Sequence, residues 1–417
     1  MRAVTASRPS SAAPTVGVRM AWLDAVRGVA VLLVLYAHLS RHLLQDARAF
    51  SAPWLHAGTA GVMLFFLVSG YIIPASLHRH GDLRAFWVSR LLRLFPLYLV
   101  VSATAIVLGV TGIVPLPPGL AEQPVTAVLA HATMLPLFLG VPLLTPVFWT
   151  LSFEMAFYLI VTAFFAVRRH GTAPRAEAPL AVALAVVAAV TAPLTPRQLP
   201  TGPIMVAVAA AIGVAGLAGV VSGRAGAVRA GGVTLGLLTA VLVAVNQDPS
   251  HVWDGLLILA VLFTGTVIYR ADRGETSWWP VVVTGTVVSA ALLIVWFAEL
   301  AALGGLTPQN QARSVITLLV IGGGFGAAMA LRHRRIPSWV TRAGVLSYSI
   351  YLVHYLAIQA LGPVFAPIAG LPLPAQLAGA GVFVALLWGV CELTYRFVEL
   401  PAQRLVRRGV KRPAATG

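Results

Sequence analysis

A few polar side chains sit inside otherwise apolar stretches of this chain, and their types suit proton transfer and anion binding. The first such stretch reads Leu23-Asp24-Ala25-Val26-Arg27-Gly28 and ends in Tyr36-Ala37-His38. On a helix Asp24 and Arg27 are three apart and can pair on one face. Arg27 and His38 are eleven positions apart, or three turns with about 20° of drift, which puts them on a common face about 16 Å apart. A cation and a titratable imidazole then share one stripe. A fourth stretch, Phe148-Trp149-Thr150-Leu151-Ser152-Phe153-Glu154-Met155-Ala156-Phe157-Tyr158, places Glu154 and Tyr158 together at helical spacing. A late stretch, Leu346-Ser347-Tyr348-Ser349-Ile350-Tyr351-Leu352-Val353-His354, repeats the pattern with Ser347, Tyr351 and His354.

Each of these residues also has a bland reading. Arg27 can snorkel to the membrane surface, and His38 can be an interfacial histidine with its bonds satisfied. In Phe65-Phe66-Leu67-Val68-Ser69-Gly70-Tyr71 the small pair Ser69-Gly70 lets a helix or a ligand approach the backbone. Arg90 and Arg93 stand at the entrance to another apolar run, where they could bind phosphates or only set orientation. Glu392 and Arg396, an i,i+4 pair, read first as structural. An intramembrane charge costs about 2.5–3.5 kcal/mol on insertion scales, so such residues are functional candidates by default. If the chain is an enzyme, histidine is its best general base, a hydroxyl its natural acceptor, and the arginines would hold an anionic donor. A glutamate that stays ionised at position 154 needs a histidine or arginine on a neighbouring helix. No metal motif, phosphate-binding Gly-rich loop or Gly-x-Ser-x-Gly elbow occurs.

The elements that must position these residues follow from composition. Of 417 residues, 59% are hydrophobic and only 10% charged, where a soluble domain carries about 25% charged. Mean hydropathy is +0.87. These values exclude a soluble enzyme, a disordered chain and, with Cys391 as the sole cysteine, a disulfide scaffold. The expected fold is all-α, a polytopic integral-membrane helical bundle of ten to twelve transmembrane helices. Candidate spans lie near 22–40, 58–77, 93–114, 146–167, 178–195, 203–222, 230–246, 252–270, 278–302, 314–331, 344–362 and 376–398. The segment 125–143, broken by Pro136 and Pro142, is shorter and reads as re-entrant or interfacial.

Charge gives the topology. There are 29 Lys+Arg against 13 Asp+Glu, a net +16. The arginines fall in small groups in every second loop and form no basic face, so nucleic-acid binding is not expected. By the positive-inside rule the basic loops and both termini are cytoplasmic, in a plasma membrane. Arg41, Arg48, Arg197 and Arg313 are the exceptions, on the opposite side. The expected organisation is a flexible tail over 1–20, a membrane domain over 21–400 and a basic tail over 401–417.

Taken in order, the motifs resemble the membrane-bound acyltransferase 3 family, the integral-membrane O-acyltransferases. The pieces are Asp24…Arg27-Gly28…His38, Phe65 to Tyr71, Arg90…Arg93…Pro96-Leu97-Tyr98, Phe148 to Tyr158, Leu346 to His354, and Arg396-Phe397-Val398-Glu399-Leu400-Pro401. The resemblance implies transfer of an acyl group, often acetyl, from acyl-coenzyme A (acyl-CoA) to a hydroxyl, commonly on a sugar of an envelope glycan or glycosylated metabolite. It implies that Arg27 and His38 are the essential pair, that Glu154 is the glutamate of the Trp-x-Leu-x-x-Glu pattern, and that Ser69, Arg93, Tyr351 and His354 occupy other recurring positions. Acyl-CoA would be a substrate, with no bound cofactor and no metal. In the resulting expectation His38 is the general base or a transient acyl carrier, Glu154 orients or stabilises it, and Arg27, Arg90 and Arg93 bind the donor, with Asp24 and Tyr158 in support. The residues about 178–335 carry no family motif. A transporter or flippase without covalent chemistry is the alternative; against it, the chain shows no internal repeat and no matching pair of interrupted helices.

Overall fold

The computed structural model describes residues 20–168, 176–192, 202–244 and 252–410. The expected N-terminal tail up to residue 19, Arg169, Arg175, Arg197 and the C-terminal residues from 411 lie outside the described residues. Those described form helices and connecting turns, with no strand among them.

The chain enters as α1 (Ala21–His42), whose 22 residues span about 33 Å, enough to cross a bilayer. A short α2 (Gln45–Ser51) follows, then α3 (Ala57–His80) and α4 (Leu83–Val110). Asp82 caps α4 by accepting from the backbone N–H groups of Arg84 and Ala85. Next come α5 (Pro124–Ala132), α6 (Trp149–Arg168), α7 (Glu177–Thr191), α8 (Pro203–Val221), α9 (Ala225–Ala244) and α10 (Val252–Asp272). The last third contains α11 (Trp279–Ala302), α12 (Pro308–Ala330), α13 (Ser338–Val345), α14 (Ser347–Phe365), α15 (Leu373–Thr394) and α16 (Leu400–Val410). Among the described residues eleven helices are long and apolar enough to cross a membrane, within the expected ten to twelve. The protein is thus a multi-pass membrane protein. Exposed Trp54, Trp278, Trp279 and Trp339 are the amphipathic rings expected at headgroup level.

Two expectations need adjusting, and a third element gains detail. The span predicted near 178–195 is the 15-residue α7, short of the roughly 20 residues a crossing needs. Its stripe of Ala181, Ala185 and Ala188 is fully buried, so this helix is held by protein. The last span, predicted over 376–398, does not end there: a π-helical turn, Tyr395–Glu399, leads directly into α16. The 125–143 segment is the nine-residue α5 followed by irregular chain up to Thr145, with Met134, Leu135, Phe138, Leu139 and Thr145 buried. Non-helical backbone at membrane depth is tolerated only when protein covers it. Here the N–H of Leu144 donates to His131 Nε2, and Phe138 meets Phe153 of α6 edge to face.

The bundle is organised around α1, which packs against α3, α12, α13 and α14. Two crossings bring backbones together. A Cβ on Gly344 would lie 1.7 Å from the Asp24 carbonyl oxygen, and one on Gly28 would lie 2.3 Å from that of Val340. At the α3–α10 crossing, a Cβ on Gly70 would fall 1.9 Å from the Leu262 carbonyl oxygen, and one on Gly265 2.3 Å from that of Leu67. Thr266 Oγ1 donates to the Gly70 carbonyl there, at 3.0 Å. Gly70 therefore serves packing, the bland reading of the Ser69-Gly70 pair.

Candidate active site

The polar residues of α1, α3, α4, α6 and α14 converge inside this bundle. An open cavity of about 750 Å³, mouth included, is lined by Arg27, Ser69, Arg90, Arg93, Glu154 and Tyr351, together with Phe65, Thr150, Ser347 and Tyr348. Arg93 is ten residues into α4, so the cavity lies about 15 Å from that helix end. Five expected site residues from four separate motifs, plus Tyr351 from a fifth, thus share one wall.

Arg90 is buried, with its guanidinium over the rings of Phe86 (5.3 Å) and Tyr158 (5.4 Å). The Tyr158 hydroxyl donates to Glu154 Oε1, so the predicted Glu154–Tyr158 stripe is a direct hydrogen bond. Arg27 pairs with Asp24 at 3.8 Å and also lies in the field of Arg93, Glu154 and Glu399. Among the described residues no carboxylate lies within ion-pair distance of Arg90 or Arg93, Arg90 Nε has no partner, and the buried Ser347 Oγ has none. Three arginines against one lining carboxylate leave the cavity cationic and rich in donors, which suits an anionic group.

His38 is elsewhere. Its Nδ1 lies 3.0 Å from the Val34 carbonyl oxygen and 3.3 Å from Nε2 of His354. The rings are 5.1 Å apart, and Tyr355 meets His38 edge on. His354 is fully buried and directs its own Nδ1 at the Ile350 carbonyl oxygen, at 2.9 Å. A carbonyl can only accept, so both rings carry their proton on Nδ1. His354 Nε2 is then a lone-pair acceptor aimed at the N–H of His38, and among the described residues His38 Nε2 has no hydrogen-bond partner. Of the two partners expected for Glu154, a histidine or an arginine, it has the arginines: among the described residues it makes no contact with His38, the residue it was expected to orient or stabilise, and lies on the arginine wall, where Tyr158 donates to it. The partner of His38 is His354.

Tyr351 links the two regions. It lines the cavity, its hydroxyl is 2.9 Å from that of Thr150, and its ring lies 5.9 Å from His354. One residue not singled out from sequence also belongs here. Glu399 is buried in the π-helical turn, accepts from Ser349, and faces Arg93 and Arg27 electrostatically. π-turns of this kind often occur at functional sites. A signal for it existed: Glu399 follows Glu392 by seven residues, two turns, in an apolar helix. The Glu392–Arg396 pair is present at 3.6 Å, but the closer partner of Glu392 is Arg342, which engages both its oxygens.

Comparison with known proteins agrees with this picture. A family model described as an acyltransferase domain matches residues 20–392. The acyltransferase MdmB of Streptomyces mycarofaciens is 25% identical over 96% of this chain and 95% of its own length. A Staphylococcus aureus (strain MSSA476) protein named as an O-acetyltransferase is 36% identical over 87 residues, 19% of this chain. A Bacillus subtilis (strain 168) protein named as a peptidoglycan O-acetyltransferase is 36% identical over 91 residues. The matched segment spans only 13% of the length of each of these two relatives. No solved structure matches the chain.

Proposed function

The chain belongs to this acyltransferase family, and we propose that it is a membrane O-acyltransferase that moves a short acyl group from acyl-CoA to a hydroxyl, most naturally on a carbohydrate. The observation that carries this reading is the arginine-walled cavity joined through Tyr351 to a histidine pair whose outer ring has a free Nε2. With both termini cytoplasmic in the plasma membrane, the cavity opens to the cytoplasm. The phosphates and arm of the donor bind to Arg27, Arg90 and Arg93. Asp24 pairs with Arg27, Glu154 offsets part of the cationic field of the wall, and Ser69 leaves room for the pantetheine arm.

In the transfer step, the acceptor O–H gives its proton to His38 Nε2 while its oxygen bonds to the acyl carbonyl carbon. The C–S bond breaks and coenzyme A leaves as thiolate, which takes up the proton to end as free thiol. As His38 becomes cationic, its Nδ1–H is held by the lone pair of His354 Nε2, the orienting role a carboxylate plays in hydrolase triads. The carbohydrate acceptor is favoured by the name of the Bacillus subtilis relative.

Purified protein in nanodiscs should release one free thiol per acylated acceptor from acetyl-coenzyme A. Acceptor-dependent thiol release that never rises above the rate of an inactive membrane protein would leave the transporter reading standing. In the same assay Arg93→Ala and Arg27→Ala should each raise the apparent KM for the donor by about tenfold or more, since hydrogen bonds to charged groups contribute about 1.5–3 kcal/mol. An unchanged donor saturation curve would remove those arginines from the donor site.

A further inference from the structure

The positive-inside pattern leaves Arg48 and Arg313 on the arginine-poor side of the chain, so a second influence has to account for them. In the structure they meet. The short helix α2 lies just beyond the end of α1 that carries His38, and the first turns of α12 stand beside it. Gln45 and Arg48 from α2, with Gln309, Asn310 and Arg313 from α12, line an open cleft. This cleft is separate from the arginine-walled cavity, and the two share no residue.

Helix α2 is firmly placed. The Tyr36 hydroxyl of α1 donates to the Ala47 carbonyl at 3.1 Å, and the Asp46 N–H donates to Gln376 Oε1 at 3.3 Å. Gln376 Nε2 donates in turn to Asp46 Oδ2 at 3.2 Å. The one carboxylate of α2 is therefore committed to the buried Gln376 of α15 and does not neutralise the cleft. Arg313 donates from Nη1 to the Ala52 carbonyl at 3.1 Å, while its Nε is buried without a partner. Among the described residues neither Arg48 nor Arg313 makes an ion pair, and the two half-buried guanidiniums repel one another across the cleft. His56, whose N–H donates to Thr317 Oγ1 on α12, is held neutral, its pKa pushed down to about 4 by burial and by Arg313.

The cleft thus offers two guanidinium forks and the carboxamides of Gln45 and Gln309 with no anion of its own, while Asn310 Nδ2 already donates to the Gly305 carbonyl. A carboxylate is satisfied by one bidentate arginine, whereas the oxygens of a phosphate can be shared between two. We propose that the Arg48–Arg313 cleft is a phosphate-binding subsite at the His38 end of the bundle, taking a phosphate ester group from a hydroxyl-bearing acceptor or from a lipid headgroup. Binding there would relieve the repulsion between the arginines and anchor a phosphorylated molecule beside the α1 end.

The test reads binding and does not depend on acyl transfer, so failure of the enzymatic reading leaves it intact. Inorganic phosphate is titrated calorimetrically into the full chain in dodecyl maltoside micelles, which carry no phosphate, with acetate at equal ionic strength as control. Wild type should show a saturable phosphate response that acetate lacks. Arg48→Gln and Arg313→Gln should each weaken it by about tenfold, the scale of losing one charge-assisted contact. Arg48→Lys, which keeps the charge but loses the fork, should weaken it less than Arg48→Gln does. Phosphatidylglycerol nanodiscs separate the sources: loss of the wild-type response there assigns the cleft to a lipid headgroup, and its persistence assigns it to a soluble phosphate ester. Equal phosphate affinity in wild type and in Arg48→Gln and Arg313→Gln proteins that keep the wild-type size-exclusion profile would overturn the proposal, as would acetate binding as tightly as phosphate.

Discussion

His38→Ala is expected to lower the turnover of acyl transfer by about 10²–10⁴-fold, the usual range for loss of a positioned general base, while donor KM changes little. The reasoning rests on tautomers. The Val34 carbonyl fixes the proton of His38 on Nδ1, which leaves Nε2 as the lone pair that can take the acceptor proton. Because α1 holds its helix without that ring, the variant should accumulate in membranes as wild type does. His354→Ala should cost less, about 10–100-fold, because the base remains but loses the acceptor that orients it. His354→Gln should recover part of that loss, since its side-chain oxygen can receive the same N–H. Turnover of purified protein at saturating acetyl-coenzyme A decides between the roles. If His38→Ala turns over within a few-fold of wild type, His38 is not the base. If His354→Ala is the more damaging of the two, the roles assigned to the rings are reversed.

The second large effect is on stability. Gly344→Leu and Gly70→Leu should each prevent recovery of monodisperse protein, or lower its melting midpoint sharply, with a cost of about 3 kcal/mol or more. At both places the obstacle is a carbonyl oxygen of a neighbouring helix, at 1.7 Å and 1.9 Å from the new Cβ. Backbone cannot rotate away as a side chain can, so whole helices must separate. Gly322→Leu is the matched control, because a Cβ there meets nothing within 4 Å. Detergent-solubilised yield and thermal unfolding of the three variants provide the comparison; similar behaviour of all three would show that the close crossings do not govern stability. Separation at Gly344 also moves Asp24, whose carbonyl it touches and whose carboxylate pairs with Arg27.

Much of this was legible in the sequence because lipid makes polar residues conspicuous. Asp24, Arg27, Glu154 and His354 stand out against apolar neighbours, and helical spacing alone paired Asp24 with Arg27 and Glu154 with Tyr158. Spacing within one helix says nothing about which helix lies opposite, and the misplacement of Glu154 beside His38 arose there. The two residues belong to different helices, and the azimuth of α6 about its axis, set by Tyr158 and the arginines of α4, was not written in either motif. The short α7 escaped for a related reason. An Ala/Val-rich run reads as a span by hydropathy whether its partner is lipid or protein, and only the fully buried alanine stripe distinguishes the two. Glu399 was hidden by the π-turn, which breaks the regular period that would have placed it on a face.

The two histidines come from helices 316 residues apart in sequence. Residues 21–168 already contain His38, the proposed base, together with the cavity arginines and Glu154, yet a chain of that length lacks His354, the ring that faces His38. Translation must reach the fourteenth helix, and that helix must dock, before the pair exists. A product truncated before α14 would therefore carry the cavity arginines without the His38–His354 contact. The same arrangement makes the protein suitable for two-fragment complementation: co-expression of an N-terminal piece ending in the 193–201 interval with the remaining C-terminal piece should restore the histidine contact only when both halves assemble in one membrane.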